Sequence, residues 1–291
     1  MSLGMPALRS TVARAQAAGV ARQRLTDDLH VLTASGTNVV ALTGADGTAL
    51  VDGGSQRDST ALLEAVARLS QAPVRTLFNT HWHPEQTGSN ERLGASQTTI
   101  IAHENTRLWL TTDITWPYDG RTFLPLPTAA LPNKTFYDTG EIDAGGRSVR
   151  YGYLRHAAHT DGDLYVSFPD ANVLAVGDAI TGQGWQEIDW WTGGWIGGVV
   201  GGLELLLALT DEQTRIVPAR GPVLSRADLQ EQFAMYSTVY ERLSRLLNSG
   251  RSPQEAVESK ATVEFDEKMG NSDAFVKRAF ESMWAYLSPD A

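Results

Sequence analysis

The sequence predicts an α+β domain over residues 25–224 with a helical extension over residues 225–291 packed on it. Three observations predict it. Short apolar runs bounded by Gly, Asn and Asp read as strands and alternate with stretches of helical spacing. Several of those strands end on residues able to do chemistry. After Ser225 the strand signals cease and apolar residues recur at helical spacing.

Residues 1–24, rich in Ala and Arg, are expected to form a short helix or a loosely held arm. Leu29 to Leu32 and Val39 to Leu42 read as strands around the turn Ser35-Gly36-Thr37, and Asp46-Gly47 is a hairpin signal leading into Thr48 to Asp52. Gly53-Gly54 ends that strand. Leu62, Leu63, Val66 and Leu69 then mark one face of a helix from Ser59 to Leu69. Val74 to Asn79 is the next strand, a helix is expected to open near Gly88, and Thr98 to Ala102 is a further strand. Residues 111–140, rich in Pro, Thr and aromatics, read as irregular.

Strands follow at Val149 to Leu154, Leu164 to Phe168, Val173 to Val176 and Arg215 to Pro218. A Gly/Trp loop and an apolar helix from Leu203 to Leu209 separate the last two. Ser225 is expected to cap a long helix to Leu247 that Asn248-Ser249-Gly250 stops, and Ser252-Pro253 to start another, with Pro at its first position. The final helix runs through Phe275 to Leu287.

Composition excludes several functions. A formal net charge of −10 argues against a nucleic-acid surface and gives no attraction to anionic membranes. No stretch approaches the roughly 20 apolar residues of a membrane span, so a soluble chain, cytoplasmic or periplasmic, is expected. No signal peptide is visible, although Met1-Ser2-Leu3 followed by Met5 leaves a processed or added start open. The chain has no Cys, which rules out disulfides and thiolate ligands. Any metal is therefore held by imidazole, carboxylate or neutral oxygen, and three imidazoles suit zinc or iron.

Half of such a site stands in His81-Trp82-His83-Pro84-Glu85-Gln86, directly after the strand from Val74. Two imidazoles one residue apart can turn toward one cation, and a strand end holds them rigidly. The loop His156-Ala157-Ala158-His159-Thr160-Asp161-Gly162-Asp163 offers a third imidazole. Val173-Leu174-Ala175-Val176-Gly177-Asp178 brings a carboxylate to another strand end. Ends of several strands are where α/β folds do chemistry.

This ordered set, with Val51-Asp52-Gly53-Gly54, Asn79-Thr80-His81-Trp82-His83, Ala158-His159-Thr160-Asp161-Gly162 and Val217-Pro218-Ala219-Arg220-Gly221-Pro222, resembles the metallo-β-lactamase superfamily from about Leu29 to Leu224. The resemblance implies a four-layer αββα sandwich with its site along one edge between the two sheets. It implies His81, His83 and His159 as ligands of a first metal, the Thr-x-Gly after His159 selecting it over His156, and Asp178 as the carboxylate bridging to a second.

Three second-metal positions depart from the family pattern. Glu85 and Gln86 stand where Asp and His are usual, and Arg220 stands where the family has its last His. Guanidinium stays protonated and cannot ligate. One metal per chain is therefore expected, zinc first and iron as the alternative, with Arg220 disfavouring a second cation by repulsion. Arg220 either takes over that ion's role toward an anionic substrate or leaving group, or plugs a dead site through a salt bridge.

The expected function is hydrolysis of an ester, lactone, amide or lactam bond in a small, apolar or aromatic substrate. A zinc-activated water with its pKa lowered toward about 7 is the nucleophile. Glu85, Asp178 and Arg220 are the catalytic candidates, Glu85 being favoured as the base because it follows the His pair directly. Rival readings are a mononuclear iron oxygenase built on His81, His159 and Asp178, and an inactive ligand-binding member.

Gly182 to Trp195 carries Trp185, Trp190, Trp191 and Trp195 among glycines, directly after Asp178. With Trp82, and with Trp109, Trp116 and Tyr118, these residues are expected to form an aromatic substrate wall on a mobile lid. A buried plug or a homodimer contact is the other use of the same residues. Asp161 and Asp163 are expected to fix the His159 loop, His103 to cap a helix, and His30 to be structural.

Overall fold

The computed structural model describes residues 19–287, so most of the expected N-terminal arm lies outside the described residues. The chain enters through strands β1 (Ala21–Arg24), β2 (Leu29–Ala34), β3 (Thr37–Thr43) and β4 (Thr48–Val51), each antiparallel to the one before. Residues 21–24, expected in the arm, are thus an edge strand. Their side chains are all exposed, so they carry no apolar pattern to read.

Helix α1 (Ser59–Leu69) then crosses to β5 (Val74–Phe78), which lies parallel to β4. The helix expected near Gly88 is two short ones, α2 (Pro84–Thr87) and α3 (Asn90–Ala95), ahead of β6 (Thr99–His103) and α4 (Glu104–Leu110). The stretch 111–140 is largely loop, with a small hairpin of β7 (Ile114–Thr115) and β8 (Thr122–Phe123) and the strand β9 (Lys134–Phe136). The first sheet runs β1-β2-β3-β4-β5-β6-β9.

The second sheet follows in chain order: β10 (Thr139–Ala144), β11 (Arg147–Tyr153), β12 (Leu164–Phe168), β13 (Val173–Gly177) and, after α5 (Ile196–Ala208), β14 (Arg215–Pro218). Helix α5 begins seven residues before the expected Leu203, because its Gly-rich first turns hide the helical period. Beyond it lie α6 (Arg226–Asn248), α7 (Pro253–Glu258), α8 (Asp266–Met269) and α9 (Asp273–Leu287). Ser225 caps α6 and Ser252 caps α7, each in a reciprocal capping box, as their sequences require.

Three buried clusters order the layers. Val31, Val40, Val51, Phe78 and Ile101 of the first sheet meet Val149, Tyr151, Val166, Val173 and Ala175 of the second. The opposite face of the first sheet, through Leu32, Leu50, Leu77 and Ile100, packs on Leu62 and Val66 of α1. The opposite face of the second, through Leu174, Val176 and Ile216, packs on α5, α6 and α9. Alternation along β13, with Val173 and Ala175 inward and Leu174 and Val176 outward, is what the period of two demands. The result is a four-layer αββα sandwich. Each fully buried Leu, Ile or Phe in these layers is worth about 1.5–3 kcal/mol.

Among the described residues no helix is long and apolar enough to cross a membrane. The segments after β4, β5, β11, β13 and β14 gather at one edge between the sheets, and they carry Asp52, His81, His83, His159, Asp178 and Arg220.

Candidate metal centre

His81, His83 and His159 bring one ring nitrogen each within 4.8 Å of one another, all three side chains buried. Their other nitrogens fix the tautomers. His159 Nδ1 lies 2.8 Å from the Glu187 carbonyl, which can only accept, so Nδ1 carries the proton and Nε2 the lone pair. His83 Nε2 lies 3.0 Å from Asp189 Oδ2, so its lone pair is on Nδ1. With both rings neutral these two lone pairs face each other at 3.1 Å, a clash that is relieved either by a proton on His159 Nε2 or by a cation between the rings. His81 Nε2 is buried with no hydrogen-bond partner, while its Nδ1 meets the Thr80 hydroxyl at 3.1 Å. A cation among the three nitrogens removes both penalties, so the donor set fits a metal ion.

Carboxylates outside the triad hold it in place. Asp189, 1% exposed, accepts from His83, from the Thr192 hydroxyl at 2.6 Å and from the Tyr118 hydroxyl at 3.0 Å. Although burial works against its charge, the bonds from His83 and Thr192 hold Asp189 below the usual carboxylate range. Asp163 accepts from the backbone N–H groups of His159 and Thr160 and from the Thr160 hydroxyl, which shapes the loop as its sequence suggested. Asp52 receives the Thr80 backbone N–H at 2.8 Å and the Thr80 hydroxyl at 2.9 Å, bracing the residue beside His81. Burial pushes Asp52 up to about 8.

Burial, with the neighbouring charges of His159, His83 and Arg220, pushes His81 well below its ordinary value. His159 shifts the other way. Burial opposes its charged form, but Asp178, Asp163 and Glu187 raise it.

Asp178 lies at the rim rather than in the convergent set. Its Oδ2 is 3.7 Å from His81 Nε2 and accepts from Gln86 Nε2 at 3.1 Å, while Oδ1 faces Arg220 Nε at 3.5 Å. Gln186 Nε2 also donates to the Asp178 carbonyl. Arg220 pairs with Asp178, and Glu187 is a second carboxylate at 3.8 Å. Glu85 is half-buried and forms no ion pair among the described residues, although its charge, after those of Asp178 and Glu187, helps raise Arg220. Of the carboxylates expected to act in catalysis, Asp178 is the one that pairs with a triad ring, 3.7 Å from His81.

The aromatic wall divides. Trp185 stacks on Phe275 with ring centres 4.6 Å apart, and Trp195 stacks on Tyr286 at 3.9 Å, so both rings pack against α9. Trp190 and Tyr118 meet edge to face at 5.6 Å beside Asp189, and Trp191 is exposed. Trp82 is buried edge-on against His83, its Nε1 donating to Thr192. With Trp109, Phe123 and Leu126, Trp82 lines a cavity of about 310 Å³, but no triad histidine lines it.

Two glycines of this segment serve close packing: a Cβ on Gly194 would overlap the His159 carbonyl, and one on Gly193 the Asp161 side chain. In α5, Gly198 does the same against the Ala157 carbonyl. Backbone bonds from Asp161 to Thr192, from Asp189 to His159 and from Trp195 to Ala157 stitch the segment to the His159 loop. His103 caps α4 through Nδ1, and neither His30 nor His156 joins the triad.

Sequence reasoning missed Glu187, Asp189 and Arg278 as site residues. Glu187-Ile188-Asp189 does carry a signal: two carboxylates flank a buried Ile in the loop just after Asp178. Arg278, on α9, has none.

A family model described as the metallo-β-lactamase superfamily matches residues 32–220. No curated protein matches the chain. Among solved structures, a metallo-β-lactamase from Pontibacter korlensis is similar with a TM-score of 0.62 at 15% identity, over 75% of this chain and 99% of that one. The DIM-1 metallo-β-lactamase gives 0.61 at 15% identity, over 77% and 99%. At such identities the likeness shows a shared fold.

Proposed function

This chain belongs to the metallo-β-lactamase superfamily, and from that membership we propose a hydrolase that works with one zinc ion held by His81, His83 and His159. Its substrate is a small molecule with an ester, lactone, amide or lactam bond. One observation carries the single-metal reading. The two oxygens of Asp178, where a second cation would be bridged, already face the Gln86 amide at 3.1 Å and the Arg220 guanidinium at 3.5 Å. A fixed positive charge there opposes a second dication.

When bound, the ion supplies Lewis acidity and makes a water acidic enough to ionise near neutral pH. Asp178 Oδ2, beside His81, is placed to take that proton. Gln86 orients this carboxylate by donating to the same oxygen. Arg220 offers its N–H groups to negative charge that develops on the scissile group. Asp189 and the Glu187 carbonyl keep the lone pairs of His83 and His159 aimed inward. The three-imidazole set also supports zinc over the iron reading, which needs Asp178 as a ligand.

Elemental analysis of protein purified without added metal, run beside a panel of lactones, β-lactams, thioesters and aryl esters, tests the proposal. About one zinc per chain with turnover of one substrate class is expected. Iron without zinc, or no metal and no stability change in chelator, overturns it.

A further inference from the structure

Arg220 has not spent its donors. Its side chain is 42% exposed, it stands 3.5 Å from Asp178 and 3.8 Å from Glu187, and it donates no hydrogen bond to the described residues. Arg226 and Arg242, by contrast, hydrogen-bond carbonyls, and Arg242 also takes the Glu264 carboxylate at 2.6 Å. An arginine that merely filled a lost metal pocket would close on its carboxylates in the same way, because charge-assisted bonds form at about 2.7–2.9 Å.

Glu187 explains the stand-off. Its backbone cannot move freely, since its carbonyl accepts from His159 Nδ1. Its side chain sits between two guanidiniums but is hydrogen-bonded to only one: Oε1 accepts from Arg278 at 3.0 Å, while Oε2 stays 3.8 Å from Arg220. Arg278 is itself anchored, its guanidinium carbon lying 4.2 Å from the centre of the Tyr118 ring. Tyr118 in turn donates to Asp189 and accepts from the Trp191 N–H. Helix α9 thus holds the Glu187 carboxylate through Arg278 while its other oxygen stays 3.8 Å from Arg220.

We infer that the half-exposed Arg220 guanidinium selects substrates carrying a carboxylate, which docks on it, and that Arg278 is a positioning residue that keeps Arg220 open by holding Glu187 away. The inference takes from the hydrolase reading only that substrate reaches the triad from this side. Glu187 need not leave when the ligand arrives, because its bond to Arg278 is independent of Arg220. The docked carboxylate gains the short, paired geometry that Glu187 is denied.

Calorimetric titration with benzoate, and with benzamide as its neutral isostere, tests this on protein as purified and after chelation. Benzoate should bind in both preparations and benzamide in neither. Arg220→Gln should abolish benzoate binding. Arg278→Gln should weaken it about tenfold, as the released Glu187 closes on Arg220. Adding Glu187→Gln to Arg278→Gln should restore it, which a misfolded protein could not do. Binding that vanishes on chelation would make the metal the receptor and overturn the inference. So would an Arg278→Gln variant with unchanged affinity, or a double variant that fails to recover. Benzoate binding with this pattern but no hydrolysis of any substrate would count against the hydrolase reading alone.

Discussion

Asp189 Oδ2 lies 3.0 Å from His83 Nε2 and thereby decides which nitrogen of that ring faces the other two histidines. The carboxylate is buried and held by Thr192 and Tyr118 as well, so it can neither rotate away nor take on water. Asp189→Asn keeps the shape and removes the charge. Metal affinity, measured by competition with a chromogenic chelator, should fall about 10- to 100-fold with the metal-free fold intact. Unchanged affinity would reduce Asp189 to a packing residue.

Arg220→His tests what excludes a second ion. The substitution removes the guanidinium from beside Asp178 and offers an imidazole in its place. Metal content by elemental analysis should rise from one toward two per chain. A ratio that stays at one would place the exclusion in the Gln86 bond to Asp178 instead.

Asp52 gives the metal-free protein a pH signature. Burial raises its carboxyl from 3.8 to about 8, so the folded state holds a proton that the unfolded state releases. Above the unfolded pKa the native state binds this extra proton, so the contribution of Asp52 to stability falls as pH rises between roughly 4 and 8. Because His81 is shifted the opposite way, the test is the difference between chelated wild type and Asp52→Asn in denaturant titrations: the variant should gain stability relative to wild type as pH rises across that range. A difference that is flat, or that runs the other way, would contradict the assignment.

Trp185→Ala separates packing from recognition. Its ring stacks on Phe275 and its Nε1 donates to the Gly270 carbonyl at 2.8 Å, both in the C-terminal region. Removal should cost roughly 2–3 kcal/mol of stability by denaturation while KM for any identified substrate stays within twofold, the pattern of a lost core contact. A raised KM at unchanged stability would return Trp185 to the substrate wall.

How much of this was legible depended on where each signal lies along the chain. Leu164–Phe168 and Arg215–Pro218 are strands at their expected bounds, since both are apolar and buried among helices and sheet. Residues 21–24 and Thr139–Ala144 were missed because they are polar edge strands held by backbone pairing, which leaves little apolar pattern. The triad was readable because its spacing is local to two loops. The contacts that tune it were not. His83 finds Asp189 over a hundred residues away, and Glu187 finds Arg278 on the last helix. The stacking of Trp185 and Trp195 likewise rests on partners in α9 that no window of sequence could pair with them.

Arg278 joins α9 to the segment that carries Glu187, and the carbonyl of that same residue accepts from His159 Nδ1. One residue thus couples the C-terminal helices to a ring of the triad, so a substitution that shifts α9 is expected to be felt at His159 although it touches no histidine.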